Sequence, residues 1–267
     1  MISRMKKDFI RETGASTNAD LPVPGLARGL AVIEHLAARP RGCAQKELVQ
    51  ALHIPAAGAM RIVSQLEAAG YVTRAADRTY RLTGRLFGKL RAAFADADVI
   101  EAALPEMRRL AEETGETAVL GVLCEGGVTV LDSVPGGEPF HLAVDAGHRV
   151  ALHASAPGKA MLAALPEDER EKLVATCPFD AHTARTVTSA TALAAQLARA
   201  RRTGWALDEQ EDYEGVCCAA APVRGRSGRA AAVVWTCGPA VRLRKTELRA
   251  VAVRVAEAAR RISQALA

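Results

Sequence analysis

No apolar run in this sequence approaches the ~18–20 residues that cross a bilayer, which excludes an integral helical membrane protein. The start, Met1-Ile2-Ser3-Arg4-Met5-Lys6-Lys7-Asp8, is charged, and the apolar core that defines a secretory signal does not follow it. The expected location is therefore the cytoplasm. There is no CxxC, and no His-x-x-x-His-type spacing answers a cysteine pair, so neither structural zinc nor any cofactor is expected. Cys43, Cys124, Cys177, Cys217, Cys218 and Cys237 are too few for a disulfide framework in 267 residues. Cys217 and Cys218 are adjacent, and neighbours on a strand point to opposite faces, so a bridge between them is not expected. What remains is ordinary. Hydrophobic residues make up 49% and charged residues 24%, which rules out collagen-like, mucin-like and globally disordered chains and leaves one large or two smaller folded domains.

The net charge of +5 is unevenly placed. Residues 1–98 hold 15 Lys/Arg against 9 Asp/Glu, whereas residues 99–267 hold 20 against 21. A basic first third joined to a near-neutral remainder is the plan of a nucleic-acid binder with a sensor attached, although a basic solubilising face would give the same count.

Residues 1–23 mix charges with small polar residues and read as a mobile basic arm, either a minor-groove arm (Arg4, Lys6, Lys7, Arg11) or an inert tail. From residue 24, Leu26, Leu30, Ile33 and Leu36 recur at helical spacing up to Pro40. A second helix is expected over Ala44–Leu52. After His53-Ile54-Pro55 a third runs to Gly70, with Met60 and Leu66 assigned to the core. Tyr71–Arg74 and Thr79–Leu82 flank a polar tip as hairpin strands do. Three helices closed by a basic hairpin make a winged helix-turn-helix over 24–82. A linker helix over 83–98 then carries Leu86, Phe87, Leu90 and Phe94 near one face.

Beyond residue 99 the pattern becomes mixed. Helices are expected over Ile100–Glu113, from Ser155 to about Ala164, from Pro166, over Ala190–Arg202 and over Lys245–Leu266. Strands are expected over Thr117–Cys124, Val128–Val134, Phe140–Val144, Val216–Arg224 and Arg229–Cys237. Hairpins interleaved with helices indicate an α+β sheet domain over 99–267.

Four segments in order carry a family resemblance: Leu66-Glu67-Ala68-Ala69-Gly70-Tyr71-Val72; the run from Gly147 to Ala160; Gly204-Trp205-Ala206-Leu207-Asp208-Glu209-Gln210-Glu211 followed by Gly215–Val223; and Cys237-Gly238-Pro239. Over about residues 24–267 the chain resembles the IclR family of bacterial transcriptional regulators. The resemblance implies an α+β architecture of N-terminal winged helix-turn-helix, linker helix and C-terminal GAF-like effector domain. It also implies self-association as a homodimer or dimer of dimers, and small-molecule control of binding to double-stranded promoter DNA, most often as repression.

The resemblance makes 56–69 the recognition helix. Ala56 and Ala57 open it without a polar side chain, so they can offer only methyl contacts to thymine, and Arg61, Gln65 and Ser64 become the base or phosphate contacts. Gln45 and Lys46 begin the preceding helix, where free N–H groups favour phosphate. Arg74, Arg78 and Arg81 are wing contacts, unless the hairpin is merely solvated.

In the sensor half, Gly158-Lys159 is not a Walker loop, because His153 and Ala160 stand at positions that need Gly and Ser/Thr. What survives is a helix N-terminus at Ser155, Ala156, Pro157 and Gly158, where the resemblance places an effector's acidic group. Pro157 removes one N–H donor there. Leu142, Asp208, Cys218, Trp235 and Cys237 match family positions lining the effector pocket. Asp208 is expected to face an effector hydroxyl, away from its carboxylate. Trp235 and Cys237, in place of small hydroxyl residues, favour a larger aromatic or hydroxylated organic acid over a tiny keto-acid. His141 and His153 are further candidates near the site. Two rival readings stand beside the regulator. One is a cysteine enzyme using Cys218 with His153 as base; the other is a constitutive DNA binder with a mere dimerisation domain.

Overall fold

The structure is a computed structural model and describes residues 24–39, 41–53, 55–86, 98–124 and 126–267. The expected arm over 1–23 and most of the expected linker helix, including Phe87, Leu90 and Phe94, lie outside the described residues. The chain divides between residues 97 and 98 into two compact units.

In the first unit, α1 (Pro24–Ala37), α2 (Gln45–Leu52) and α3 (Ala56–Ala68) precede a two-stranded antiparallel wing, β1 (Val72–Arg74) and β2 (Tyr80–Leu82). Val32, Leu36, Cys43, Leu48, Val63, Val72 and Tyr80 form its core, with Leu66 packed at the edge. The buried row of α1 is Ala27, Val32 and Leu36, so Leu26 (60% exposed) and Leu30 (41%) of the expected row face outward. Two apolar rows run along this helix, and periodicity alone does not choose between them. α2 ends at His53 in the left-handed conformation (φ 51°), which starts the turn into α3. At the end of α3, Gly70 (φ 77°) allows the Tyr71 N–H to reach the Leu66 carbonyl and its own N–H to reach that of Glu67. That Schellman ending turns the chain directly into the wing.

The second unit is a six-stranded antiparallel sheet in the order β5-β4-β3-β8-β7-β6, built from β3 (Thr117–Cys124), β4 (Gly127–Val134), β5 (Arg149–Val150), β6 (Ala206–Glu209), β7 (Val216–Arg224) and β8 (Ala230–Pro239). Alternation along the strands sorts side chains onto two faces. Ala118, Leu120, Cys217, Ala219, Ala232 and Val234 pack under α4 (Val99–Thr114) and the long α8 (Lys245–Leu266). Val119, Cys218, Ala220, Val233, Trp235 and Cys237 face α5 (Ala156–Ala164) and α7 (Ala190–Thr203). Cys217 and Cys218 therefore point into different cores, and both are free thiols. The helix α6 (Glu167–Ala175) follows Pro166 as expected.

One expected strand is absent. Residues 140–144 join no ladder, and the sheet edge is instead the two-residue β5. Their backbone is held by side chains: Arg242 donates to the Phe140 carbonyl (2.8 Å), Thr117 to that of Leu142 (2.6 Å) and Ser133 to that of Val144 (2.7 Å). Every second carbonyl is taken up, so the segment carries strand-like alternation without a partner strand.

Candidate DNA surface and effector site

On α3 the buried residues are Ala59 and Val63, which leaves Ala56, Ala57, Arg61, Ser64 and Gln65 exposed together. Met60 is half-buried beneath the wing, and its sulfur receives the Tyr80 hydroxyl at 3.9 Å. At the start of α2, Lys46 is exposed and Gln45 half-buried. Glu47 folds back to accept the Ala44 N–H at 2.7 Å, and that bond holds its carboxyl below the usual range. A phosphate approaching this helix end must compete with a fixed carboxylate. In the wing, Arg81 is engaged with Asp77 (3.0 Å), Arg74 lies over the Tyr80 ring at 5.7 Å, and Arg78 stands at the exposed tip in a left-handed conformation (φ 61°). The structure thus gives the three wing arginines different settings.

The second unit brings together the residues that the resemblance assigns to an effector pocket. Register sets Asp208 opposite Cys218, and Cys218 opposite Cys237, so three strands bring these groups side by side. Cys218, Trp235, Cys237, Ala156 and the half-buried Leu142 share one apolar cluster. Trp235 is 3% exposed and its indole lies on Gly121, where an added Cβ would stand 2.9 Å from Cζ3. At the head of α5, the Ser155 hydroxyl donates to the Ala151 carbonyl (2.6 Å) and accepts the Gly158 N–H (3.1 Å). With Pro157 lacking a donor and the Gly158 N–H taken by Ser155, the Ala156 N–H is the remaining donor of the first turn. Gly158 is required here because a Cβ would meet the Ala151 carbonyl and stand 2.6 Å from the Leu152 backbone.

Gly158-Lys159 is no phosphate loop, yet Lys159 has a role that its motif does not announce. This lysine is 1% exposed, and its Nζ donates to Glu211 Oε1 (2.6 Å) and Gln196 Oε1 (2.8 Å). A lysine inside the otherwise apolar α5 was the available signal, since a buried ammonium needs a partner. Asp208 sits beside this pair, 1% exposed, with Oδ1 accepting the Glu211 N–H at 2.6 Å. Burial pushes its carboxyl up to about 7 against the opposing pull of Lys159. Next to it, His182 donates to Asp212 (2.7 Å) and meets the His153 ring edge-on at 5.5 Å. His153 is buried and donates Nε2–H to the Asp180 carbonyl, while the exposed His141 donates to that of Glu138. His153 makes no hydrogen bond to Cys218, and burial raises the Cys218 thiol well above its ordinary range. No nucleophile–base pair is formed between these two residues. A cleft of about 280 Å³ between α5, α7 and β7, beside Trp205, contains none of the sequence-predicted residues.

Residues 25–76 match the IclR helix-turn-helix domain, and residues 91–264 match the bacterial transcriptional regulator IclR C-terminal domain. The chain belongs to the IclR family of transcriptional regulators. It is 32% identical to the HTH-type transcriptional regulator BhcR of Paracoccus denitrificans, over 92% of this chain and 88% of that protein. It is 27% identical to the transcriptional repressor IclR of Escherichia coli, over 91% of each. Among solved structures it resembles an IclR homologue from Microbacterium hydrocarbonoxydans complexed with 4-hydroxybenzoate, with TM-score 0.72, 25% identity and coverage of 91% and 98%. Both halves of an IclR regulator are therefore present, a helix-turn-helix and an α/β domain with a sheet between helical layers. Among the described residues no helix is long and apolar enough to cross a membrane.

Proposed function

We propose that this chain is a cytoplasmic promoter-binding repressor whose α5/α7 sheet face binds a small hydroxylated or aromatic organic acid. The observation that carries this reading is the convergence of the α5 N-terminus, Asp208, Cys218, Trp235 and Cys237 on one face. An anion-favouring helix end and an apolar wall are what an organic acid needs. The 4-hydroxybenzoate held by the Microbacterium homologue is a ligand of this chemical class. Calorimetric titration with a panel of such acids, followed by promoter-retardation assays with each binder, tests the reading. The closed packing of Trp235 on Gly121 favours a second reading, a constitutive DNA binder, which requires that no acid alter retardation.

In this reading α3 enters the major groove with Arg61, Ser64 and Gln65 leading, the methyl groups of Ala56 and Ala57 beside them, and Gln45, Lys46, Arg74, Arg78 and Arg81 flanking on phosphates. Arg61→Ala should cost about 1–3 kcal/mol on the specific operator and relax base choice. Arg78→Ala should weaken all sequences alike and lower the salt slope by about 1. Retardation assays at several salt concentrations, on operator and scrambled DNA, separate the two. One such module reads too few base pairs alone, so the working species is a dimer or dimer of dimers with half-sites about one helical turn apart or a multiple of it. Sedimentation at micromolar concentration should show no monomer boundary, with or without DNA.

A further inference from the structure

We propose that Asp208 meets the effector as a neutral carboxylic acid and donates its proton in a hydrogen bond to the ligand's carboxylate, so that binding takes up a proton wherever Asp208 is ionised in the free protein. This inference rests on the assignment of this sheet face as an organic-acid site and adds the regulation of that site by pH.

The hydrogen-bond pattern is its basis. Of the two Asp208 oxygens, Oδ1 is committed to the Glu211 N–H, and among the described residues Oδ2 receives no hydrogen bond. Lys159 is the cation facing Asp208, but its short bonds go to Glu211 and Gln196. The other charged or titratable groups around Asp208 among the described residues are Glu211 and Asp212 from the segment after β6, Cys217 and Cys218 from β7 and Cys237 from β8. Asp212 is in turn hydrogen-bonded by His182. An ionised Asp208 together with a ligand carboxylate would add two buried negative charges to a cluster whose ammonium already neutralises Glu211. Buried charges without partners are costly, so one proton between the two carboxyl groups is the favourable state. The upward push on the Asp208 carboxyl by burial agrees with this arrangement. A neutral Asp208 no longer has to lie at the far end of the cavity from the ligand carboxylate, as the sequence reading required. It becomes a second donor beside the Ala156 N–H.

The linkage has a definite sign. A carboxyl that holds its proton more tightly folded than unfolded loses stability as pH rises, here between about 4 and about 7. Ligand affinity behaves likewise and should fall tenfold per pH unit above about 7. The test has two arms. Denaturant unfolding of the ligand-free regulator from pH 4 to 9 is compared with Asp208→Asn, with His182→Asn as control for the nearby imidazole. Acetate, benzoate and 4-hydroxybenzoate are then titrated calorimetrically at pH 6 and 8, in two buffers of different ionisation heat. The proposal expects the stability loss to vanish in Asp208→Asn and persist in His182→Asn. It also expects uptake approaching one proton per ligand by the wild type at pH 8, only about a tenth of that at pH 6 where Asp208 already holds its proton, and none by Asp208→Asn. Binding at pH 8 without proton uptake, with the same pH dependence in Asp208→Asn, overturns the proposal while leaving the site. Absence of binding by all three acids at both pH values overturns the organic-acid reading of this face and the proposal with it. A stability profile identical in wild type and Asp208→Asn overturns the proposal whatever the ligands do.

Discussion

Replacing Lys159 with methionine should lower the stability of the C-terminal unit by about 3–5 kcal/mol, the cost of breaking a buried ion pair by removing one partner. Glu211 is buried and would keep only the Gln196 amide at 3.3 Å and whatever water the new space admits. Asp208 would lose the nearest positive charge in the same step. A loss of that size is a large share of the ~5–15 kcal/mol that separates folded from unfolded states, so the variant should unfold at markedly lower denaturant. The measurement is denaturant unfolding followed by tryptophan fluorescence, since Trp205 and Trp235 both lie in this unit. Lys159→Met combined with Glu211→Gln should recover much of the loss, because the uncompensated charge is then gone. A single-variant loss below about 1 kcal/mol would mean that the pair behaves as a solvent-screened surface bridge.

Trp235→Ala should cost a similar amount, about 3–5 kcal/mol, because it empties a fully packed indole site. The indole is held between β3 and the α5/α7 layer, and the flat seat beneath it exists because position 121 has no side chain. Trp235→Phe should cost less, since most of the contact area survives. Gly121→Ala should also destabilise, and adding Trp235→Ala should not rescue it. The new Cβ would stand 2.7 Å from the Thr129 carbonyl, which belongs to the neighbouring strand and cannot rotate away. Differential calorimetry on the four variants decides the matter. Full recovery in the double variant would show that the indole alone requires the glycine.

The helix-turn-helix was legible because its determinants are local. Pro55 before α3, Gly70 after it and the alternation in the wing act over a few residues, and each places an element without reference to distant parts of the chain. The opposite facing of Cys217 and Cys218 was legible for the same reason, the two-residue period of a strand. The row of α1 that is buried was not legible. Leu26 and Leu30 are as apolar as Val32 and Leu36, and the choice between them is made by the shape of the α2, α3 and wing surfaces. Residues 140–144 misled because their alternation serves three side-chain donors contributed by β3, β4 and the turn before α8.

By itself the sequence determined the helix-turn-helix, the basic first third, most helices, the long strands β3, β4, β7 and β8 and, through its motifs, the family. These follow from periodicity, capping residues and composition, which act within a turn or a strand. The tertiary structure alone decided the electrostatics around Lys159 and Asp208. Lys159 and Glu211 are 52 residues apart, and nothing local states that they meet. Asp208 is an ordinary acidic residue in the chain. It becomes a buried proton-holding group only where β6, β7 and α5 close around it, because the energy of a charge is set by the solvent and charges that the fold leaves within a few ångströms.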